Sequence, residues 1–149
     1  MEAIRHRVGI RAPIDEVHDA LATNAGVSRW WTNDVRGDER AGDGAFEVWF
    51  GAAAPSATLR RDATAAPGQV RWRCTQGPDS WLDTTVTFDL RPHDGETVVV
   101  FTHDGWREPV EFTHHCSTSW ACYLISLKRA LEGGAATPWP GNERISTWG

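Results

Sequence analysis

The chain has 149 residues, 40% hydrophobic and 23% charged, with a formal net charge of -5. A chain of that size buries roughly two-thirds of its unfolded surface and needs only one core. The acidic balance and the scattered Arg residues argue against a nucleic-acid partner, which needs a concentrated basic face, and no apolar run approaches the roughly 20 residues that span a bilayer.

The opening Met1-Glu2-Ala3-Ile4-Arg5-His6-Arg7 lacks the apolar core of an export signal, so a cytoplasmic location is expected. Over residues 3–11, Ile4, His6, Val8 and Ile10 alternate with Arg5, Arg7, Gly9 and Arg11, the period of a half-buried strand. Pro13 suits a first helical turn, Asp15 and Glu16 suit its positive end, and Ile14, Val17, Ala20 and Leu21 recur at helical spacing. After Asn24-Ala25-Gly26 a second short helical piece carries Val27, Trp30 and Trp31, with one Trp expected beneath it and the other at a cavity mouth. Residues 33–44 read as a loop.

Strands are then expected at 45–50, with Phe46, Val48, Trp49 and Phe50; at 58–64; and around Val70, Trp72 and Cys74, whose opposite face carries Arg71 and Arg73. Leu82, Thr84, Val86, Phe88 and Leu90 alternate with polar residues as a further strand. Pro92-His93-Asp94-Gly95 reads as a hairpin turn before the β-branched run at 97–102. Short connections make neighbouring strands antiparallel. The last element, a helix near 112–132, carries Phe112, Cys116, Trp120, Tyr123, Leu124, Leu127 and Leu131 on one stripe and stops at Gly133-Gly134. The organisation expected is one domain over 1–134 and a tail over 135–149, whose Trp139, Ile145 and Trp148 would dock on the body or on a second subunit, as in a homodimer.

A long helix arriving after a continuous antiparallel sheet buries its stripe across the sheet and tends to leave a pocket. The chain has nine Trp and one Tyr, so that space should be walled by rigid rings suited to an apolar or aromatic ligand. Trp31, Trp49, Trp72, Trp106, Trp120 and Tyr123 are the ring candidates, with His103 and His115 as polar groups able to face a bound molecule. His103, His114 and His115 are close in sequence, but adjacent histidines leave a helix in different directions and no zinc spacing is present, so neither metal nor cofactor is expected. Cys74, Cys116 and Cys122 lie within apolar patterns and read as reduced, inert core thiols; Ser117 and Ser119 have no supporting catalytic motif.

Several phrases taken together resemble the START-like helix-grip (SRPBCC) superfamily, especially the group similar to the activator of the heat-shock chaperone ATPase. They are Ile10-Arg11-Ala12-Pro13 leading to Val17 and Leu21, the pair Trp30-Trp31, the phrase from Thr97 to His103-Asp104-Gly105-Trp106, and Trp120, Leu124 and Leu127. The resemblance spans residues 3–132. It implies an α+β helix-grip fold in which a curved six-stranded antiparallel sheet wraps a long C-terminal helix, with two short helices after the first strand and a cavity inside. It implies three functional readings: a binder of a small apolar or aromatic ligand, a polyketide-cyclase-like or hydrolase-type enzyme using the same cavity, or a chaperone-activating interaction protein. The chaperone-binding N-terminal domain of the eukaryotic activators has no counterpart in this chain, so the ligand-binding reading leads.

Overall fold

The computed structural model describes residues 2–40 and 44–149. The first strand, β1 (Glu2–Ile10), is followed by helices α1 (Ile14–Ala22) and α2 (Asn24–Ser28). Six further strands follow: β2 (Val35–Arg36), β3 (Ala45–Val48), β4 (Ala57–Arg61), β5 (Gln69–Gln76), β6 (Thr85–His93) and β7 (Glu96–Trp106). The long helix α3 (Glu111–Leu131) comes last. All strands join one antiparallel sheet in the order β1-β7-β6-β5-β4-β3-β2.

The sheet therefore has seven strands where six were expected. The additional one, β2, falls in the stretch read as a loop; its two residues pair with Val48 and Glu47 at the sheet edge. Two residues cannot display alternation, so only the pairing reveals them. Residues 41–43 of that expected loop, and Met1, lie outside the described residues. The strand expected from Leu82 begins at Thr85, because Asp83 takes a positive φ of 64° and residues 81–83 form a turn. At its other end β6 runs through Pro92-His93, and Asp94-Gly95, with φ of 49° and 79°, make the hairpin turn.

Alternation places one apolar row from each strand on the face under α3. Phe46 pairs with Leu59, Leu59 with Cys74, Trp72 with Val86, Val70 with Phe88, and Phe88 with Phe101, and all of these are buried. On the opposite face Arg71 bonds Asp62 at 2.9 Å and Arg73 bonds Asp83 at 3.2 Å, the solvated row that alternation predicts. Helix α3 adds Cys116, Trp120, Tyr123, Leu124 and Leu127, and its end is tied to β1 through Lys128, which donates to the Gly9 carbonyl at 2.5 Å and to Glu132 at 2.9 Å. Glu132 in turn accepts from the Arg11 amide at 2.7 Å. The three cysteines are free thiols. Among the described residues no helix is long and apolar enough to cross a membrane.

The two short helices pack through a glycine. A Cβ on Gly26 would sit 2.2 Å from the Asp19 carbonyl oxygen and 2.7 Å from the Ala20 Cα, both backbone atoms of α1. Gly26→Ala is therefore expected to lower stability by about 1–3 kcal/mol through overpacking, read as a shift of the urea midpoint at unchanged slope. A variant as stable as wild type would show that α2 moves away freely.

The tail folds onto the body. Trp139 donates its amide to the Trp31 carbonyl at 2.9 Å and accepts from the Asn33 amide at 3.1 Å. The Thr137 amide donates to Ser126 Oγ at 2.9 Å, and Trp148 packs edge-on against Phe112 and His115.

Candidate ligand cavity

A cavity of about 330 Å³ lies between α3, the β3–β4 end of the sheet and the tail. Its walls are mainly rings: Trp31 and Phe50 on one side, Trp81 and Trp120 at the base, Phe112 on α3, and Trp139 and Trp148 from the tail. The rings brace one another, with Trp31 tilted against Trp120 at 5.0 Å and Trp81 stacked on Trp120 at 6.0 Å. Polar groups come from Ser56, His115, Ser119, Tyr123 and Asn142, and no Asp, Glu, Lys or Arg lines the space. Burial alone pulls His115 below its ordinary pKa, and burial pushes the Tyr123 hydroxyl up to about 12 and the Cys116 thiol up to about 11. The lining side chains are thus uncharged at neutral pH, Cys116 keeps its proton, and the backbone of the terminal Gly149 also borders the space. The Trp81 indole N–H lies close enough to the Cys116 sulfur to favour thiolate slightly, yet makes no full hydrogen bond.

Of the residues expected at the cavity, Trp31, His115, Trp120 and Tyr123 line it, while Trp49, Trp72, His103 and Trp106 do not. Each of the four outside has a physical reason. Trp49 follows Val48 on the alternating strand and so faces outward, where the Arg36 guanidinium lies 3.8 Å over its ring and Glu47 accepts its N–H at 3.2 Å. Trp72 is fully buried, parallel to Trp31 at 5.6 Å and flanked by Trp30, Phe46 and Phe88. Trp30 and Trp31 follow α2 in a turn; both are buried, stacked at 6.1 Å, with Trp30 held beneath by donating to the Ala20 carbonyl. Trp106 is spent on the core and donates its N–H to the His103 carbonyl at 3.2 Å.

His103 is the most constrained of the group. The Trp120 N–H donates to its Nδ1 at 3.1 Å, so the ring hydrogen sits on Nε2 and is donated to Thr84 Oγ1 at 2.9 Å. The Thr84 hydroxyl passes its own hydrogen to the Trp81 carbonyl at 2.6 Å. Every polar atom of the imidazole is used inside the core, and burial lowers its pKa to about 3. It therefore serves as a neutral structural link rather than a base for a substrate. His114 is exposed on another side of α3, and His6 bonds the Ser117 carbonyl at 3.1 Å. Among the described residues no three His, Cys, Asp or Glu gather to hold a metal ion.

Sequence reasoning missed Phe50, Trp81, Phe112, Trp139 and Trp148 as cavity walls. Phe50 shares the inward parity of Phe46 and Val48, a signal that was present. Trp81 sits in the turn after Pro78, where no periodicity assigns a face.

A seven-stranded antiparallel sheet gripping one C-terminal helix, with two short helices after the first strand, defines a helix-grip domain with an aromatic-walled cavity. The family described as activator of Hsp90 ATPase homolog 1-like protein matches residues 11–132, and the chain belongs to that family. Among solved structures it is similar to the Aha1 dimer from Colwellia psychrerythraea, with 36% identity, 90% of this chain and 98% of that chain covered, and a TM-score of 0.77. It also resembles CalU16 from Micromonospora echinospora, at 21% identity with 97% and 75% covered and a TM-score of 0.70. A Bacillus halodurans protein shares the fold at 21% identity, with 89% and 98% covered and a TM-score of 0.67. No curated protein matches the chain.

Proposed function

We propose that this domain binds a small apolar or aromatic molecule in the cavity between the sheet and α3. The observation that carries the reading is a space of about 330 Å³ walled by rings, within the size range of small-molecule sites. A molecule entering it would exchange water for stacking and edge contacts with Trp31, Trp81, Trp120 and Trp148. The test is titration with the neutral probe N-phenyl-1-naphthylamine. Saturable binding with one probe per chain is expected, accompanied by quenching of Trp emission, and Ser119→Trp, which places a ring in the space, should abolish it. Absence of saturable binding by the wild-type chain, or undiminished binding by the filled variant, would sink the reading.

The Colwellia relative is described as a dimer, and the same self-association is proposed for this chain. Sedimentation velocity over a concentration series would show a dimeric species, and a strictly monomeric boundary would remove that proposal.

A further inference from the structure

A helix packed on one side ordinarily carries charged residues on the other. In α3, however, the stretch from Phe112 to Leu127 contains no Asp, Glu, Lys or Arg on any side. At about 3.6 residues per turn, Glu111, His114, Thr118, Cys122, Ile125 and Arg129 share one arc of the helix, opposite the buried Cys116, Trp120 and Leu127. Cys122 is half-buried and the other five are exposed. Ile125 is 40% exposed, a level that only Trp148 exceeds among the large apolar side chains described. The outward arc is therefore uncharged along its middle and charged at its two ends, with Glu111 in the first turn and Arg129 in the last. Neither end residue makes an ion pair among the described residues.

That charge pattern complements itself in one orientation. Two copies of α3 laid side by side in parallel would set Glu111 against the partner's Glu111 and Arg129 against the partner's Arg129. Laid antiparallel about a two-fold axis level with residue 120, they bring Glu111 to the partner's Arg129 at both ends of the pair, about 27 Å apart. The same register puts Thr118 opposite the partner's Cys122, and the opposed helix dipoles favour it. We propose that the outward arc of α3 is the surface on which a second copy of this chain docks, as an antiparallel two-fold helix pair. The proposal rests on the self-association read above and names its surface. Thr118, Cys122 and Ile125 exclude water at the centre, and the two ion pairs at the ends fix the direction.

The experiment is sedimentation velocity on the full chain over a concentration series, with urea unfolding as the check that each variant folds. Ile125→Glu should raise the dimer dissociation constant by about tenfold or more, because it sets an unpaired charge at the dry centre of the interface. Its carboxylate can pair with Arg129 one turn on, so the urea midpoint should hold. Glu111→Arg and Arg129→Glu should each weaken association by about tenfold, since either change sets like charges together at both ends of the pair. Combining the two reverses both signs and should return the dissociation constant to the wild-type value, even though the double variant carries both unfavourable helix-end charges. An Ile125→Glu protein that dimerises as well as wild type, or a double variant no tighter than the single ones, would overturn this surface and leave self-association standing. A wild-type chain that stays monomeric would remove both.

Discussion

Lowering the pH from 8 to 5 should cost the wild-type protein about 2 kcal/mol more stability than it costs a His103→Gln variant. In the unfolded chain this imidazole titrates near 6.5, whereas in the folded protein burial lowers its pKa to about 3. Between those values the unfolded state binds the extra proton and the folded state does not, so stability falls as pH falls through that window. The loss begins near pH 6.5 and at pH 5 has reached about 2 kcal/mol at 1.36 kcal/mol per unit. Gln cannot titrate, so subtracting the variant's urea-unfolding profile isolates this contribution from the other groups. Superimposable pH profiles for the two proteins would mean that His103 takes up a proton in the folded state, against the closed hydrogen-bond chain through Trp120, Thr84 and Trp81.

Trp120→Ala is expected to be the most damaging single change, at about 3–5 kcal/mol for the lost ring alone. Trp120 is 2% exposed and lies within 4.8–6.0 Å of the rings of Trp31, Phe101, Trp81 and His103. Its removal also orphans His103 Nδ1, which adds a desolvation penalty of about 1–3 kcal/mol unless water enters. Against a total stability of about 5–15 kcal/mol, the variant should melt roughly 10 °C or more below wild type. Trp120→Phe keeps a ring and loses only the N–H and part of the volume, so it should fall between the two. An Ala variant within about 1 kcal/mol of wild type by urea unfolding would show that the cavity region contributes little to the core.

The fold was legible because each long strand carries its own alternation and α3 carries its own stripe; both are local signals. What stayed hidden depends on pairing or on tertiary approach. The strand β2 exists because Val35 and Arg36 meet Val48 and Glu47, and two residues hold no pattern of their own. On α3 the expected His115, Trp120 and Tyr123 do line the cavity, and Trp120 and Tyr123 are part of the stripe. Trp49 was misplaced although parity with Phe46 and Val48 already turned it outward, an error of reading rather than a missing signal. His103 is different, since nothing local says that the indole of a residue on the next helix will occupy its Nδ1. Docking of Trp139 and Trp148 on the body or on a second subunit was expected from their place in the tail, but aperiodic, Pro-rich sequence does not say that they would wall the cavity.

That return separates the outer wall of the cavity from the core beneath it. The family match ends at residue 132, whereas Trp139, Asn142 and Trp148 lie beyond it and still bound the cavity. The sheet and α3 bury the domain core without these residues, so the outer wall can be exchanged, lengthened or lost with little demand on the scaffold beneath. A grafted tail from another member would then recut the cavity while the gripping fold stayed as it is. The end of the chain thus shapes the cavity without being part of the buried core of the gripping fold.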